Sequence, residues 1–361
     1  MSSFLAACFA QALPSCLINT KRITEMADMR DLIERFSEQL EESGKALREM
    51  DASAFMSSAD GFNPTGILIL GMGGSGIGGA IASGILTKTS GIPIVASADY
   101  SIPGWVSKST LVIACSYSGN TEETIEAVTL AKDRKSTIAV VTSGGILGDL
   151  ASKNGWPSVS MPGGLPPRSQ FGRSFMGLAW VLNKYSAFSD EMYAELEATS
   201  ESVKANTSTI EEQASALADL VEGKNIMLYS DTSTSAVVTR WRQQLNENSK
   251  LLVNTQAFPE MNHNELVGWD SGNDSYVAVI IRTPEDHKRS HFRMEVCAEI
   301  FREFGADVVI IDADGSDQMQ RLMYLIQLGD YLSLLLAERA QIDPVDITNI
   351  IRLKDELSSL K

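Results

Sequence analysis

Short apolar runs alternate with amphipathic helical stretches along most of this chain, and that alternation restricts the fold more than any other feature. From Gly66 the order is GILIL, a glycine cluster (GMGGSGIGG), then the helical AIASGILTK. PIVASADY reads as a short strand, TLVIACSYSG as a strand ending in a Ser/Gly loop, and NTEETIEAVTLAKDR as a helix. STIAVVTSGG and WPSVSMPGG follow as strand and turn. Residues 190–219 read as a long polar helical connector. The alternation then resumes: strand NIMLYSD, helix STSAVVTRWRQQLNENSKLL, strand YVAVIIRT, helix HKRSHFRMEVCAEIFREFG, strand ADVVIIDADG and helix LMYLIQLGDYLSLLLAERA. This pattern predicts an α/β fold of two doubly wound parallel-sheet units in tandem, with N-terminal and C-terminal helices. The expected divisions are 1–52 for an N-terminal extension and helix (helical from Asp31 to Met50) and 53–190 for the first unit. The connector takes 191–219, and the second unit with its C-terminal helical segment takes 220–361. The strand, hydroxyl-rich turn and helix of YSDTSTSAVVTRW repeat the plan of the first unit, a hint of internal duplication.

A chain of 361 residues is long enough for two domains and a large core. Its formal net charge of -16 argues against non-specific contact with nucleic acid or anionic membranes. It does not argue against a small anion, which backbone N–H groups can hold locally. Cys8, Cys16, Cys115 and Cys297 form no C-x-x-C pair, so a reducing cytoplasm is the expected compartment. No stretch reaches the roughly 18–20 apolar residues of a membrane helix. The start, MSSFLAACFAQALPSCLINTKR, is mildly apolar but has no basic residue ahead of its apolar part, so it reads as an extension. The folded part is expected to begin near Met26 or Met29.

The glycine cluster matches G-x-G-x-x-G at Gly71, Gly73 and Gly76, a pattern that proposes a dinucleotide. The acidic residue that should follow about 20 positions on is poorly placed, since Asp99 lies 28 beyond Gly71 (99 − 71). No Lys follows the last glycine, so the cluster is not a P-loop. A second loop, SYSGNTEET, brings Ser116, Ser118 and Thr121 to a helix start. Capping accounts for one hydroxyl, not three; three beside free helical N–H groups suit a monoester phosphate. In a doubly wound sheet both loops stand at the carboxyl edge, and together they favour a sugar phosphate over a dinucleotide.

At these residues the chain resembles a known family. GGS (Gly73 to Ser75) and SYSGNTEET look like the sugar isomerase (SIS) domain. PPRS (Pro166 to Ser169), LNENSK (Leu245 to Lys250) and FPEMNHNE (Phe258 to Glu265) narrow the resemblance to the bifunctional phosphoglucose/phosphomannose isomerase family, which carries two flavodoxin-like SIS domains in tandem. The resemblance runs from about Gly66 to Lys354. It implies that Ser116, Ser118 and Thr121 bind phosphate and that Gly74 and Ser75 line the sugar. It implies that Arg168 stabilises the intermediate, that Glu247 is the catalytic base and that His263, donated across a homodimer interface, opens the ring. Lys354 resembles the family's C-terminal lysine. The family's C-terminal segment usually reads more like DPTPV; here it is DPVDI (Asp343 to Ile347).

Aldose–ketose isomerisation suits this set. One carboxylate can carry the proton between C1 and C2 if it stays on one face of the substrate. A guanidinium never deprotonates and suits the enediolate charge. Imidazole titrates near neutrality and suits ring opening. The expected substrates are glucose 6-phosphate, mannose 6-phosphate and fructose 6-phosphate, and the chemistry needs no nicotinamide cofactor and no metal. His287 and His291 are i, i+4 within HKRSHFR and read as part of a basic solvated face. Trp241, Phe258 and Trp269 read as packing. Alternatives are a sugar-phosphate sensor without turnover, the isomerase part of a glucosamine 6-phosphate synthase, and an NAD(P)-binding enzyme.

Overall fold

A computed structural model describes residues 28–360. The apolar stretch before Met26 lies outside the described residues. The chain enters through α1 (Met29–Glu34), whose N-terminus is capped by the Asp28 carboxylate accepting from the Arg30 amide at 3.2 Å, and α2 (Phe36–Glu49). The sequence pattern predicts one helix here; the structure breaks it at Arg35, whose ψ of 14° leaves the helical range. α3 (Ser53–Ala59) leads into the first sheet.

That sheet is built from β1 (Gly66–Leu70), α4 (Gly73–Leu86), β2 (Ile94–Ser97), β3 (Thr110–Ser116), α5 (Glu122–Asp133), β4 (Thr137–Thr142), α6 (Gly145–Asn154) and β5 (Ser158–Ser160). All pairings are parallel, in the order β2-β1-β3-β4-β5. β1 and β3 are buried at every position, as central strands covered on both faces must be. A 3₁₀ turn (Pro167–Gln170) opens α7 (Phe171–Lys184), and α8 (Asp190–Val221) leads to the second sheet.

The second sheet comprises β6 (Asn225–Asp231), α9 (Ser235–Asn248), β7 (Asn254–Phe258), β8 (Tyr276–Arg282) and β9 (Asp307–Asp312), again all parallel, in the order β7-β6-β8-β9. Between β7 and β8 lie a 3₁₀ turn (Glu260–His263) and α10 (Glu265–Gly268). α11 (Lys288–Glu303) precedes β9, and α12 (Gln318–Arg339) and α13 (Thr348–Ser358) close the chain. Both sheets are thus doubly wound α/β units. β7 is an edge strand of Asn, Thr and Gln with only Phe258 buried, so it lacks the apolar run that marks the other strands of this sheet. One apolar cluster joins the two units, running from Met29 through β1, β3, α7 and α8 to α12. Trp241, Phe258 and Trp269 are all buried.

His287, Lys288 and Arg289 are exposed, as expected of a solvated face; His291 departs from it. His287 is the N-cap of α11, its Nδ1 accepting from the Arg289 amide at 3.1 Å. His291 is half-buried, with Nε2 at 3.0 Å from the Thr283 carbonyl and 3.4 Å from Asp286 Oδ2. The two rings thus have separate partners: a backbone amide for His287, and the Thr283 carbonyl and Asp286 for His291. Among the described residues, no helix is long and apolar enough to cross a membrane.

In a doubly wound sheet ligands bind where strand order reverses, outside the carboxyl ends of the strands. In the first sheet that point lies between β1 and β3. In the second it lies between β6 and β8, and there the far end of α4 fills the crevice. Ile81 and Ile85 face Ser233, Thr234 and Val237 across a residual cavity of about 40 Å³, and Lys88 Nζ donates to the Glu285 carbonyl at 2.9 Å. A methyl group on Gly84 would stand 3.0 Å from the Ser233 carbonyl oxygen. The crevice of the second sheet is therefore filled by α4.

Candidate active site

The loop after β1 turns within one residue of its strand. A Cβ on Gly76 would lie 2.3 Å from the Gly71 carbonyl oxygen, which only glycine avoids. This tight turn starts α4 with no side-chain cap; the Ser75 and Gly76 amides donate to the Met72 carbonyl at 3.0 and 3.1 Å, which leaves the Gly73 and Gly74 N–H groups at the helix start. α5 likewise starts with no side-chain cap hydrogen bond. Two uncapped helix starts at one sheet edge make an anion-attracting cradle.

Three hydroxyls from the second loop line that cradle. Ser116 Oγ and Thr121 Oγ1 are 2.9 Å apart, with Ser116 buried, and Ser118 Oγ at the exposed rim accepts from the Asn120 amide at 3.2 Å. Ser75 joins the two loops: its Oγ accepts from the Tyr117 amide at 2.9 Å. Gly74, one residue earlier, touches the turn that carries Arg168. A Cβ there would approach the Arg168 amide nitrogen to 3.0 Å.

The Arg168 side chain is 5 % exposed and spreads three ways. Nε donates to Asn248 Oδ1 at 2.7 Å, Nη2 to the Pro344 carbonyl at 2.5 Å, and Nη1 pairs with Glu247 Oε2 at 3.1 Å. Burial pulls its guanidinium below the usual arginine value, while the Glu247 and Asp343 carboxylates oppose that shift. Glu247 sits in the last turn of α9, 29 % exposed, at the wall of a cleft of about 460 Å³. The opposite wall is Asp346, Ile347, Thr348 and Ile350. Lys250 also lines this cleft and ties the same elements together, its Nζ donating to the Glu247 carbonyl and, at 3.1 Å, to the Asp343 carbonyl. Burial and then the Arg168 charge lower the Lys250 ammonium; Asp346, Asp343 and Glu247 oppose them.

The structure thus brings together Gly74, Ser75, Ser116, Thr121, Arg168 and Glu247, with Ser118 at the edge. It does not bring His263 or Lys354 to them within one chain. His263 is exposed at the end of the 3₁₀ turn after β7, and among the described residues no hydrogen bond joins it to Arg168 or Glu247. The turn itself is firmly seated. Met261 is buried, Asn262 Nδ2 donates to Cys297 Sγ at 3.0 Å, and the Tyr229 hydroxyl donates to Glu265. Lys354 is exposed on α13, a helix with no buried residue. The DPVDI segment meets Arg168 and Lys250 through main-chain carbonyls, so its altered side chains leave those anchors in place.

Asn248, Lys250 and Arg240 escaped the sequence reading although two of them stand beside Glu247. A signal was present: Arg240, Gln244 and Asn248 recur every fourth residue between the apolar Val237, Trp241 and Leu245, a polar row on a face that packs inward.

Comparison with known proteins agrees with this geometry. Residues 63–151 match the SIS domain, and residues 210–357 match the bacterial phospho-glucose isomerase C-terminal SIS domain. The bifunctional phosphoglucose/phosphomannose isomerase of Caldicellulosiruptor bescii is 34% identical over 82% of this chain and 90% of its own length. That of Thermoplasma volcanium is 37% identical over 81% of this chain and 91% of its own. Among solved structures, the C-terminal domain of glucosamine-fructose-6-phosphate aminotransferase from Francisella tularensis aligns with a TM-score of 0.69 at 14% identity, covering 89% of this chain and 98% of that one. That likeness shows the shared fold. With both sheets, the linked loops and full-length relatives in agreement, the chain belongs to the bifunctional phosphoglucose/phosphomannose isomerase family.

Proposed function

We propose that this protein is an aldose–ketose isomerase that interconverts glucose 6-phosphate and mannose 6-phosphate with fructose 6-phosphate. The observation that carries the reading is the Glu247 carboxylate held 3.1 Å from the buried Arg168 guanidinium, linked through Gly74 and Ser75 to the hydroxyl cradle. The phosphate rests on Ser116, Ser118, Thr121 and the free N–H groups of α4 and α5. This places the reacting end of the open-chain sugar toward Glu247. Glu247 takes the C2 proton of the aldose and returns it to C1, while a proton passes from the C2 hydroxyl to O1. Arg168 stabilises the enediolate oxygens between the two transfers.

His263 opens the ring from the neighbouring subunit of a homodimer. Apolar side chains exposed near its turn support that arrangement: Val267 is 73% exposed, and Phe292 and Val296, one turn apart on α11, are 67% and 37% exposed. Large exposed apolar groups of this kind mark association surfaces. Ile350, Ile351 and Leu353 on α13 are exposed in the same way, and Lys354 beside them reaches a site once the helix is docked. The free, buried thiols of Cys115 and Cys297 support a reducing cytoplasm.

A coupled assay starting from fructose 6-phosphate with EDTA present tests the function. Production of both aldose phosphates is the expected result. Glucose 6-phosphate alone would restrict the activity and point to the DPVDI wall of the cleft; neither product would overturn the proposal.

A further inference from the structure

α9 carries a buried polar stripe that the chemistry above does not use. Arg240, Gln244 and Asn248 lie four residues apart on one face, each no more than 1% exposed. Polar groups at that depth are costly unless partnered. Both ends of this stripe grip the same residue. Arg240 Nη2 donates to the Arg168 carbonyl at 3.1 Å, and Asn248 Oδ1 accepts from Arg168 Nε at 2.7 Å.

The stripe is braced from the other side by α12. Arg240 Nη2 donates to both carboxylate oxygens of Asp330, at 2.8 and 2.7 Å, and Gln244 Nε2 donates to Asp330 Oδ1 at 2.8 Å. Asn248 Nδ2 donates to Ser333 Oγ at 3.0 Å, and the Ser333 hydroxyl donates to the Asp330 carbonyl at 2.8 Å. Asn248 therefore has its acceptor committed to Arg168 and a donor committed to the core. A planar guanidinium whose Nε is fixed can no longer roll about its own stem. With Nη2 on the Pro344 carbonyl, Nη1 is left facing Glu247.

We propose that Asn248 is a positioning residue for the isomerisation: it sets the plane of the Arg168 guanidinium so that one edge stays beside Glu247, where the enediolate forms. This rests on the reading of Arg168 as the group that stabilises the enediolate. A neutral amide is suited to the task. A carboxylate at position 248 would accept the same hydrogen bond but draw off the positive charge that the enediolate needs.

The test compares full-length variants by steady-state kinetics and by exchange of a C1 hydrogen of fructose 6-phosphate in deuterated water. Asn248→Ala should lower kcat about 10- to 100-fold, the range expected for an ångström of misplacement, with KM for fructose 6-phosphate unchanged within about threefold. Added to Arg168→Ala, it should change the exchange rate less than about twofold, because the two act as one unit. Should Asn248→Ala not fold, Asn248→Asp keeps the size and the acceptor, and its kcat should still fall at least about tenfold at unchanged KM. Full kcat in Asn248→Ala beside an inactive Arg168→Ala would overturn the proposal and leave the reading of Arg168 standing. So would a KM that rises in step with the loss of kcat, or losses that simply add in the double variant. Wild-type turnover in Arg168→Ala would instead sink the reading of Arg168, and the proposal with it.

Discussion

Glu247 faces the cleft with 29 % of its side chain exposed while its partner Arg168 keeps 5 %, so the carboxylate is open to the cleft and the guanidinium meets mainly protein. Glu247→Gln keeps the shape and the hydrogen-bonding reach but cannot accept the C2 proton. Turnover should fall by about three orders of magnitude or more while calorimetry shows fructose 6-phosphate still bound; retained turnover would mean the base is another group. Gly74→Ala should act through geometry alone. Its new methyl would press on the Arg168 amide at 3.0 Å and displace the turn, lowering kcat about tenfold or more, whereas an alanine that leaves kcat intact would show that the turn can yield. The hydroxyls were legible because three of them crowd one helix start, whereas Glu247 and Arg168 were singled out only by the family resemblance of the LNENSK and PPRS motifs that carry them. Asn248 was not legible, since its partners Arg168 and Ser333 are 80 and 85 residues away and no spacing rule connects them.

At the scale of elements, α9 and α12 are pinned by the Arg240–Asp330 pair, with side chains 1% and 7% exposed. Asp330→Ala would strand a buried guanidinium and should cost about 3–5 kcal/mol in a denaturant titration; a loss under 1 kcal/mol would mean Arg240 finds another acceptor. The turn between β6 and α9 predicts an acid dependence. Burial pushes the Asp231 carboxyl up, but bonds from Ser290 and from the Ser233 amide and hydroxyl outweigh it and hold the group below the usual carboxylate range. A depressed carboxyl stabilises the fold above its unfolded value and loses that contribution as pH falls through its native one. Wild type should therefore lead Asp231→Asn in thermal stability at neutral pH, and the lead should vanish on acidification below about pH 4. A lead that persists at low pH would refute the assignment. Most of the alternation of elements was readable from apolar runs. β7 was not, because an edge strand needs few apolar residues, and the break at Arg35 was not, because helical periodicity continues across it.

For the whole molecule, one continuous core ties both sheets together. Calorimetry should record a single unfolding transition; two resolved transitions would mean the halves are separable. Assembly has its own test. If His263 serves the neighbouring subunit, Glu247→Gln and His263→Ala should each be nearly inactive alone, yet recover about a quarter of wild-type activity when refolded together, because half the dimers then hold one complete site. Failure to complement would place His263 in its own chain's site or outside the reaction. The seating of α4 in the second crevice carries a consequence of a different kind. The helix whose start flanks the hydroxyl loop is the same one whose end is wedged against the other sheet, through Ile81, Ile85 and Lys88. A continuous helix seated at both ends opposes a hinge between the halves, so capture of a sugar phosphate should leave the radius of gyration in X-ray scattering unchanged; a measurable contraction would show that the halves close on the ligand.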